Sequence, residues 1–320
     1  MNVKLNAQSF YKSPILKKGL KFASNNSSLF IAGASLAMST CIRPLSILAT
    51  PKSDRENKKL ACAKSISSSL IGYGLMLGAS LPVARGVKRI DQRPAKYLKE
   101  STIEALKENG KRLQDSKAYQ LATQTFKLGL GLVIAVPKAF MTSALIPHVM
   151  KEVFPPNQKQ QQIQNAKEIS FKGSLPAGMG KVLDTPQVQI FSNRFKNSNF
   201  VMHTMAVTDT LATWAFVHQT NKSTKIDEKR KKILNNNAII STGLCIGSGY
   251  IVDKALDKPT EKFIKSFTNA NKNDINLGKY IEGIRIVKPA LILGTLYYGI
   301  IPMVSTFLAE RVQKNRQSHD

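Results

Sequence analysis

Residues 29–50 read LFIAGASLAMSTCIRPLSILAT, an apolar run in which Arg43 is the single charged residue. A helix needs about 20 mostly apolar residues to cross the hydrocarbon core of a bilayer. The run has that length. It therefore predicts a membrane helix and sets the interpretation of the rest of the chain.

Five further runs share this apolar character. They cover residues 60–84, 128–150, 200–219, 238–252 and 287–309. The run at 200–219 carries Asp209 at its centre, where a carboxylate costs about 2.5–3.5 kcal/mol on insertion, and the run at 238–252 is short. The sequence thus predicts an all-α polytopic membrane protein with about six apolar helices, of which these two are conditional, joined by amphipathic helices.

The composition is strongly basic. Lys and Arg number 47 against 20 acidic residues, a net charge of +27, and such an excess predicts a polyanionic neighbour. The charge is spread over nearly every loop instead of one face, which favours anionic lipid head groups over nucleic acid. Three scattered cysteines fit neither a disulfide framework nor a zinc site.

The polar stretches divide the chain. Residues 1–28 hold five lysines and no acid, so they are predicted to be a basic tail, cytoplasmic by the positive-inside rule. Residues 101–113 show the spacing of an amphipathic helix with a capping box at its start. Residues 155–199 are predicted to be a polar linker with a short strand or extended loop at 187–190, and 312–320 a C-terminal tail.

Two parts of the sequence resemble each other. Both Lys58-Lys59 and Lys231-Lys232 close a charged loop before an apolar run, and IPHV at 146–149 is answered by IPMV at 301–304. We interpret these matches as an internal duplication, with related three-helix halves at 29–154 and 200–311. Repeats with three spans each would have opposite orientations in the membrane. Shared membrane composition is the alternative.

Small residues recur at one spacing in the second helix of each predicted half. The two GxxxG pairs are Gly74 with Gly78 and Gly243 with Gly247. This spacing lets helices approach closely, so the four glycines are predicted to pack helices together, within the chain or in a homo-oligomer.

The charges inside the apolar runs are the candidate binding residues. Arg43 and Asp209 are lone charges of opposite sign in the first helix of each half, so they are predicted to pair. A structural role, with Arg43 reaching towards the interface, is the alternative. Lys138 is a third intramembrane charge.

Prolines in the same runs are candidate helix breaks. They are Pro137, Pro147, Pro289 and Pro302. Because a proline removes a backbone hydrogen bond, breaks at Pro147 and Pro302, in matched positions, would place a binding site between the halves. Prolines tolerated near helix ends are the alternative.

Motifs for catalysis are not recognisable. His148 and Glu152 share a helical face, a spacing that metal ligands use, but no third ligand is near in sequence. The chain has no GxGxxG or P-loop pattern. The sequence therefore predicts no enzyme, cofactor or metal. It leaves three hypotheses: a transporter-like or channel-like protein, a lipid-binding membrane scaffold, and a soluble basic helical protein.

Overall fold

The fold is all-helical, as the sequence predicted. The computed structural model describes residues 7–49, 55–153, 175–224, 228–302 and 304, and no strand occurs in these ranges. The helices are α1 (Ala7–Lys12), α2 (Pro14–Asn25), α3 (Ser27–Leu48), α4 (Arg55–Gln92), α5 (Pro94–Tyr97), α6 (Glu100–Leu106), α7 (Lys117–Val153), α8 (Leu175–Leu183), α9 (Pro186–Phe195), α10 (Phe200–Lys222), α11 (Glu228–Ala255), α12 (Asp257–Ala270) and α13 (Leu277–Thr295). A π-helical segment, Leu296–Ile300, continues α13.

Six long helices form a closed ring in chain order. α3 packs against α4, α4 against α7, α7 against α10 and α10 against α11; α11 then meets α13, which packs back on α3. Each predicted half therefore supplies three consecutive members of the ring. The duplication itself stays a prediction.

The two predicted halves have the same orientation in the ring. α7 and α10 are parallel, because Gly131 lies beside Thr208 and, about two turns further along both helices, Ala139 packs with Phe216. The neighbouring pairs α3–α4 and α4–α7 are antiparallel. As a result, α3, α7 and α10 all begin at the same end of the ring. We call the end where α3, α7 and α10 begin the near end, and the other the far end. The predicted inverted orientation of the halves is therefore wrong.

This connectivity has a direct test in the two lysine loops. Lys58 donates to the carbonyl of Leu48 (3.2 Å) and Lys231 to that of Asn221 (3.3 Å), so both loops lie at the far end. Reporter tags inserted at 51–54 and 225–227 should report the same side of the membrane. A tag in the near-end turn at 107–112 is the control and should report the opposite side. Tags at the two lysine loops on opposite sides would contradict the parallel arrangement.

Fewer helices than predicted have the length and composition of a membrane span. Among the described residues these are Ser27–Leu48, Ser65–Gln92 and Lys117–Thr142. The pair Lys231–Ala255 and Asp257–Ala270, bent by 52°, makes a fourth if it counts as one span. Three or four candidate spans replace the predicted six. The fold is compatible with a membrane protein, and α3 alone is about 33 Å long at 1.5 Å per residue.

The parallel pair α7–α10 explains why six alternating spans do not fit. Residues 154–174, which the structure does not describe, join the far end of α7 to α8 at the near end. A polar segment is stable at membrane depth only where protein or water covers it. The outer face of α10 is mixed, with exposed His203, Thr210 and His218. Two parallel helices that follow each other in the chain cannot both belong to a series of alternating spans.

Short helices cover the near end. α4, α6, α7 and α8 share a core that contains Ile90, Leu106, Tyr119 and Leu183. α1, α2, α12 and α13 share another around Phe267. The described part of the predicted linker, 175–199, is thus helical and packed. The predicted strand at 187–190 lies in α9, which Pro186 begins because its fixed φ suits the first turn of a helix.

Two more sequence predictions change at the near end. The described part of the N-terminal tail forms α1 and α2, because Leu16, Leu20 and Ala23 recur at helical spacing and give the second helix an apolar face for α13. The predicted amphipathic helix stops at Leu106. Gly110 then adopts φ +72°, a left-handed conformation that glycine tolerates and a helix excludes. The expected capping box forms no side-chain cap.

Candidate ligand-binding cavity

A cavity of about 230 Å³ lies in the centre of the ring. All six long helices line it, and so does the π-helical segment. The three charged residues of its lining are Arg43 from α3, Lys138 from α7 and Asp209 from α10. The structure therefore brings together the three lone charges that the sequence singled out, from helices far apart in the chain.

Most of the cavity surface is apolar, and hydroxyl groups contribute to its polar part. They belong to Ser28, Ser35, Ser65, Ser68, Ser69, Thr142, Thr204, Thr208, Thr213, Thr242, Tyr73, Tyr297 and Tyr298. The hydroxyls of Thr213 and Thr242 are 2.6 Å apart and join α10 to α11. Such a lining can hydrate or coordinate a polar solute, because hydroxyls both donate and accept hydrogen bonds.

The outer faces of the ring helices carry many large apolar side chains. The exposed ones include Leu45, Leu70, Val133, Trp214, Ile251 and Leu291. Exposed apolar surface on this scale marks a membrane or protein contact. The sequence could not assign faces to these helices, because their runs are apolar nearly all round.

Arg43 is buried against the π-helical segment. Its side chain is 7% exposed, its Nη1 donates to the carbonyl of Tyr297 (3.3 Å), and its guanidinium lies 4.8 Å from the centre of the Tyr297 ring. Ser46 donates to the carbonyl of Gly299. α3 thus satisfies carbonyls of a widened turn, a geometry found frequently at functional sites. The Nε of Arg43 is buried and has no acceptor.

Lys138 reaches into the cavity past Gly72. A Cβ at Gly72 would lie 2.9 Å from the Cε of Lys138, so this lysine passes close to the backbone of α4. Lys138 is close enough to Asp209 to interact with its carboxylate electrostatically.

The predicted pair of Arg43 and Asp209 does not form. Within the described ranges, no ion pair joins the two, and Asp209 accepts no hydrogen bond. Arg43 is held by the carbonyl and the ring of Tyr297 instead, because the helix that faces it is α13 and not α10. Both residues nevertheless face the same cavity.

The candidate prolines lie in helical chain. Pro137 and Pro147 lie within α7, and Pro289 within α13, and these helices continue through them. The π-helical segment ends one residue before Pro302, which cannot donate a hydrogen bond to Tyr298. The matched helix breaks stay a prediction.

The predicted packing glycines lie on the outside of the ring. They are Gly74, Gly78, Gly243 and Gly247. In the described part of the chain, a Cβ added at any of them would meet no atom within 4 Å. None of the four therefore lies at a close approach of helices in the described part of the chain, and packing between copies of the chain stays a prediction. Close helix approaches occur at Gly249, Gly283 and Gly294 instead.

A buried polar network at the near end was missed by the sequence analysis. Glu282 of α13 is 4% exposed and accepts hydrogen bonds from Ser24 and from Gln124 (2.5 Å). Lys127 donates to the carbonyl of Ser24 (2.7 Å). The network joins α7 and α13 to the junction of α2 and α3, so it fixes how the two halves meet.

The network continues to the end of α4. Lys279 donates to Asp91 (3.0 Å) and lies 4.0 Å from Glu282, while the hydroxyl of Tyr119 donates to Asp91 (2.8 Å). A signal for this site exists in the sequence. Glu282 stands one helical turn before Ile286, on a face that continues as Ala290 and Leu293, and polar residues on such a face are expected to be buried and paired.

The turn before α13 is tied to α2 by an ion pair. Asp274 accepts hydrogen bonds from the ammonium of Lys17 (3.0 Å) and from the N–H of Asn276 (3.0 Å). Partial burial by itself would raise the pKa of Asp274. The two donors outweigh it and hold that pKa below its usual range.

The remaining candidates form no site. The side chain of His148 lies outside the described part of the structure, as does that of Glu152. Among the described residues, no group of three His, Cys, Asp or Glu side chains could hold a metal. The cysteines Cys41, Cys62 and Cys245 are not paired with one another.

Fold and cavity together define a class of protein: a helical ring, apolar outside, that encloses charged and hydroxyl-bearing side chains. No protein-family model matches the sequence, and no curated protein or solved structure shows significant similarity to it.

Proposed function

We propose that the chain is an integral membrane protein whose central cavity binds a small polar solute, in the manner of a transporter or channel. Three lone charges enclosed by a ring with exposed apolar side chains carry the proposal. Lone charges such as Arg43, Lys138 and Asp209 are costly at membrane depth, and where they occur they face a hydrated interior with a functional role. A soluble protein would instead bury the outer apolar side chains.

A cysteine pair on α4 tests the proposal. Ser68 lines the cavity, whereas Leu70, two residues away at the same depth, is 54% exposed on the outer face. Each residue is replaced by cysteine in a full-length chain whose three native cysteines are replaced by alanine. Membranes are then treated with a charged thiol reagent. Ser68→Cys should react, because thiolate forms in water, and Leu70→Cys should not, because hydrocarbon suppresses ionisation of the thiol.

The control is the same labelling after detergent denaturation, where both variants should react fully. Labelling of Leu70→Cys in the intact membrane, with Ser68→Cys protected, would contradict a hydrated cavity in a lipid-exposed ring.

A second candidate function is a scaffold that holds anionic lipid at the near end. α12 exposes Lys258, Lys262 and Lys265, and the neighbouring α2 exposes Ile15 and Phe22 beside its lysines. Basic amphipathic helices with exposed apolar side chains bind the interface of anionic membranes. The two functions are compatible, since they use different surfaces.

A further inference from the structure

Arg43 has an incomplete set of partners. It is 7% exposed, and Nη1 is its one nitrogen for which the described residues provide an acceptor, the carbonyl of Tyr297. Its Nε is fully buried without an acceptor. Leaving a donor of a charged group unsatisfied is costly, and a carbonyl does not neutralise a guanidinium. The residue is therefore incomplete without an anion.

The charges of the cavity do not cancel. Arg43 and Lys138 face a single carboxylate, Asp209, and within the described residues no ion pair joins Arg43 to it. In the described lining this leaves one net positive charge, centred on Arg43. A buried, unbalanced cation is favourable only when a counter-charge enters with the ligand.

The geometry of the guanidinium of Arg43 indicates which kind of anion fits the cavity. A guanidinium presents its N–H groups as a planar fork that matches the two oxygens of a carboxylate, and the buried Nε of Arg43 joins that fork only after a shift of the side chain. Beside the charges, the lining is apolar at Met38, Met76 and Leu293. The site can therefore bind one carboxylate and accommodate a short hydrocarbon chain.

We propose that the cavity binds a small organic monocarboxylate, anchored by the guanidinium of Arg43. The proposal rests on the proposed function, since the ligand must enter a hydrated cavity. It names the class of solute for that cavity: a singly charged carboxylic acid anion with a short apolar body.

Ligand-induced thermal stabilisation of the purified full chain in detergent tests it. Sodium butanoate should raise the unfolding temperature in a saturable manner. Sodium chloride at equal ionic strength, and butylammonium chloride, should not do so. Chloride as effective as butanoate, or butylammonium as effective as butanoate, would overturn the assignment.

Substitutions locate the effect. Arg43→Lys keeps the charge but loses the planar fork, so the concentration of butanoate for half-maximal stabilisation should rise about tenfold or more. Arg85→Gln is the matched control, because Arg85 is exposed on α4 outside the cavity; it should leave that concentration unchanged. Equal effects of the two variants would show that butanoate binds the basic surface and would overturn the proposal. Should Arg43→Lys not fold, the comparison of anions on the native chain still decides it.

The two proposals fail separately. If Ser68→Cys is labelled in membranes but butanoate gives no stabilisation, the monocarboxylate assignment is wrong and the hydrated cavity stands. If Ser68→Cys is not labelled, the hydrated cavity itself is wrong.

Discussion

Replacing Glu282 with leucine is expected to destabilise the protein by about 3–5 kcal/mol, the usual cost of removing one partner from a buried charged network. The substitution removes the acceptor of Ser24 and Gln124 and one of the two carboxylates beside Lys279. Buried Lys127 would lose its neighbouring negative charge as well. The measurement is the unfolding of the full chain in detergent by denaturant, followed by circular dichroism.

Two further variants separate charge from volume. Glu282→Gln keeps the size and the carbonyl acceptor, so a large remaining loss of stability would be due to the missing charge. Glu261→Gln on α12 is the surface control, because Glu261 is exposed, and it should change stability by no more than about 0.5 kcal/mol. A Glu282→Leu variant as stable as the Glu261→Gln variant would contradict the role of the network.

The second large effect is expected at Gly283. α2 crosses α13 at this residue, and a Cβ there would overlap the backbone carbonyl of Leu20, lying 2.7 Å from its carbon. Because the two helix backbones would have to move apart, Gly283→Ala should lower the free energy of unfolding by about 1–3 kcal/mol, as overpacking usually does. The expected result is a lower unfolding midpoint.

Gly243→Ala is the matched control for that substitution. Gly243 lies in α11 on the outer face, where a Cβ would meet no described atom within 4 Å. Alanine should therefore be neutral or slightly stabilising, because it favours the helical conformation. If Gly243→Ala destabilised the chain as much as Gly283→Ala, the outer glycines would be packing sites after all.

The helices of the ring were largely predictable from the sequence. Long apolar runs form helices wherever backbone groups must be satisfied within the segment, and the starts of α3 and α10 lie within two residues of the predicted halves. The number of membrane spans, however, was overestimated. Asp209 spoke against a membrane span in the run at 200–219 only. The parallel direction of α7 and α10, by contrast, affects the orientation of every helix in the second half.

The cavity was predictable in its charges and not in its geometry. Arg43, Lys138 and Asp209 stood out because an ionisable side chain in an apolar run needs a reason. Their partners could not be predicted, since the carbonyl of Tyr297 is exposed to Arg43 only by the π-helical turn before Pro302. Glu282 was overlooked because it stands beside Lys279 and Arg285, in a stretch that looks like an ordinary charged helix start.

The sequence by itself determined that the chain is all-helical, that its helices are long and apolar enough for a membrane, and that three lone charges lie among them. These properties depend on composition and on contacts between residues close in the chain. Only the tertiary structure decided that the halves run in the same direction, that the three charges share one cavity, and that Glu282 joins the halves at the near end. These properties depend on which helix faces meet, and residues far apart in sequence leave no local pattern that records their contact.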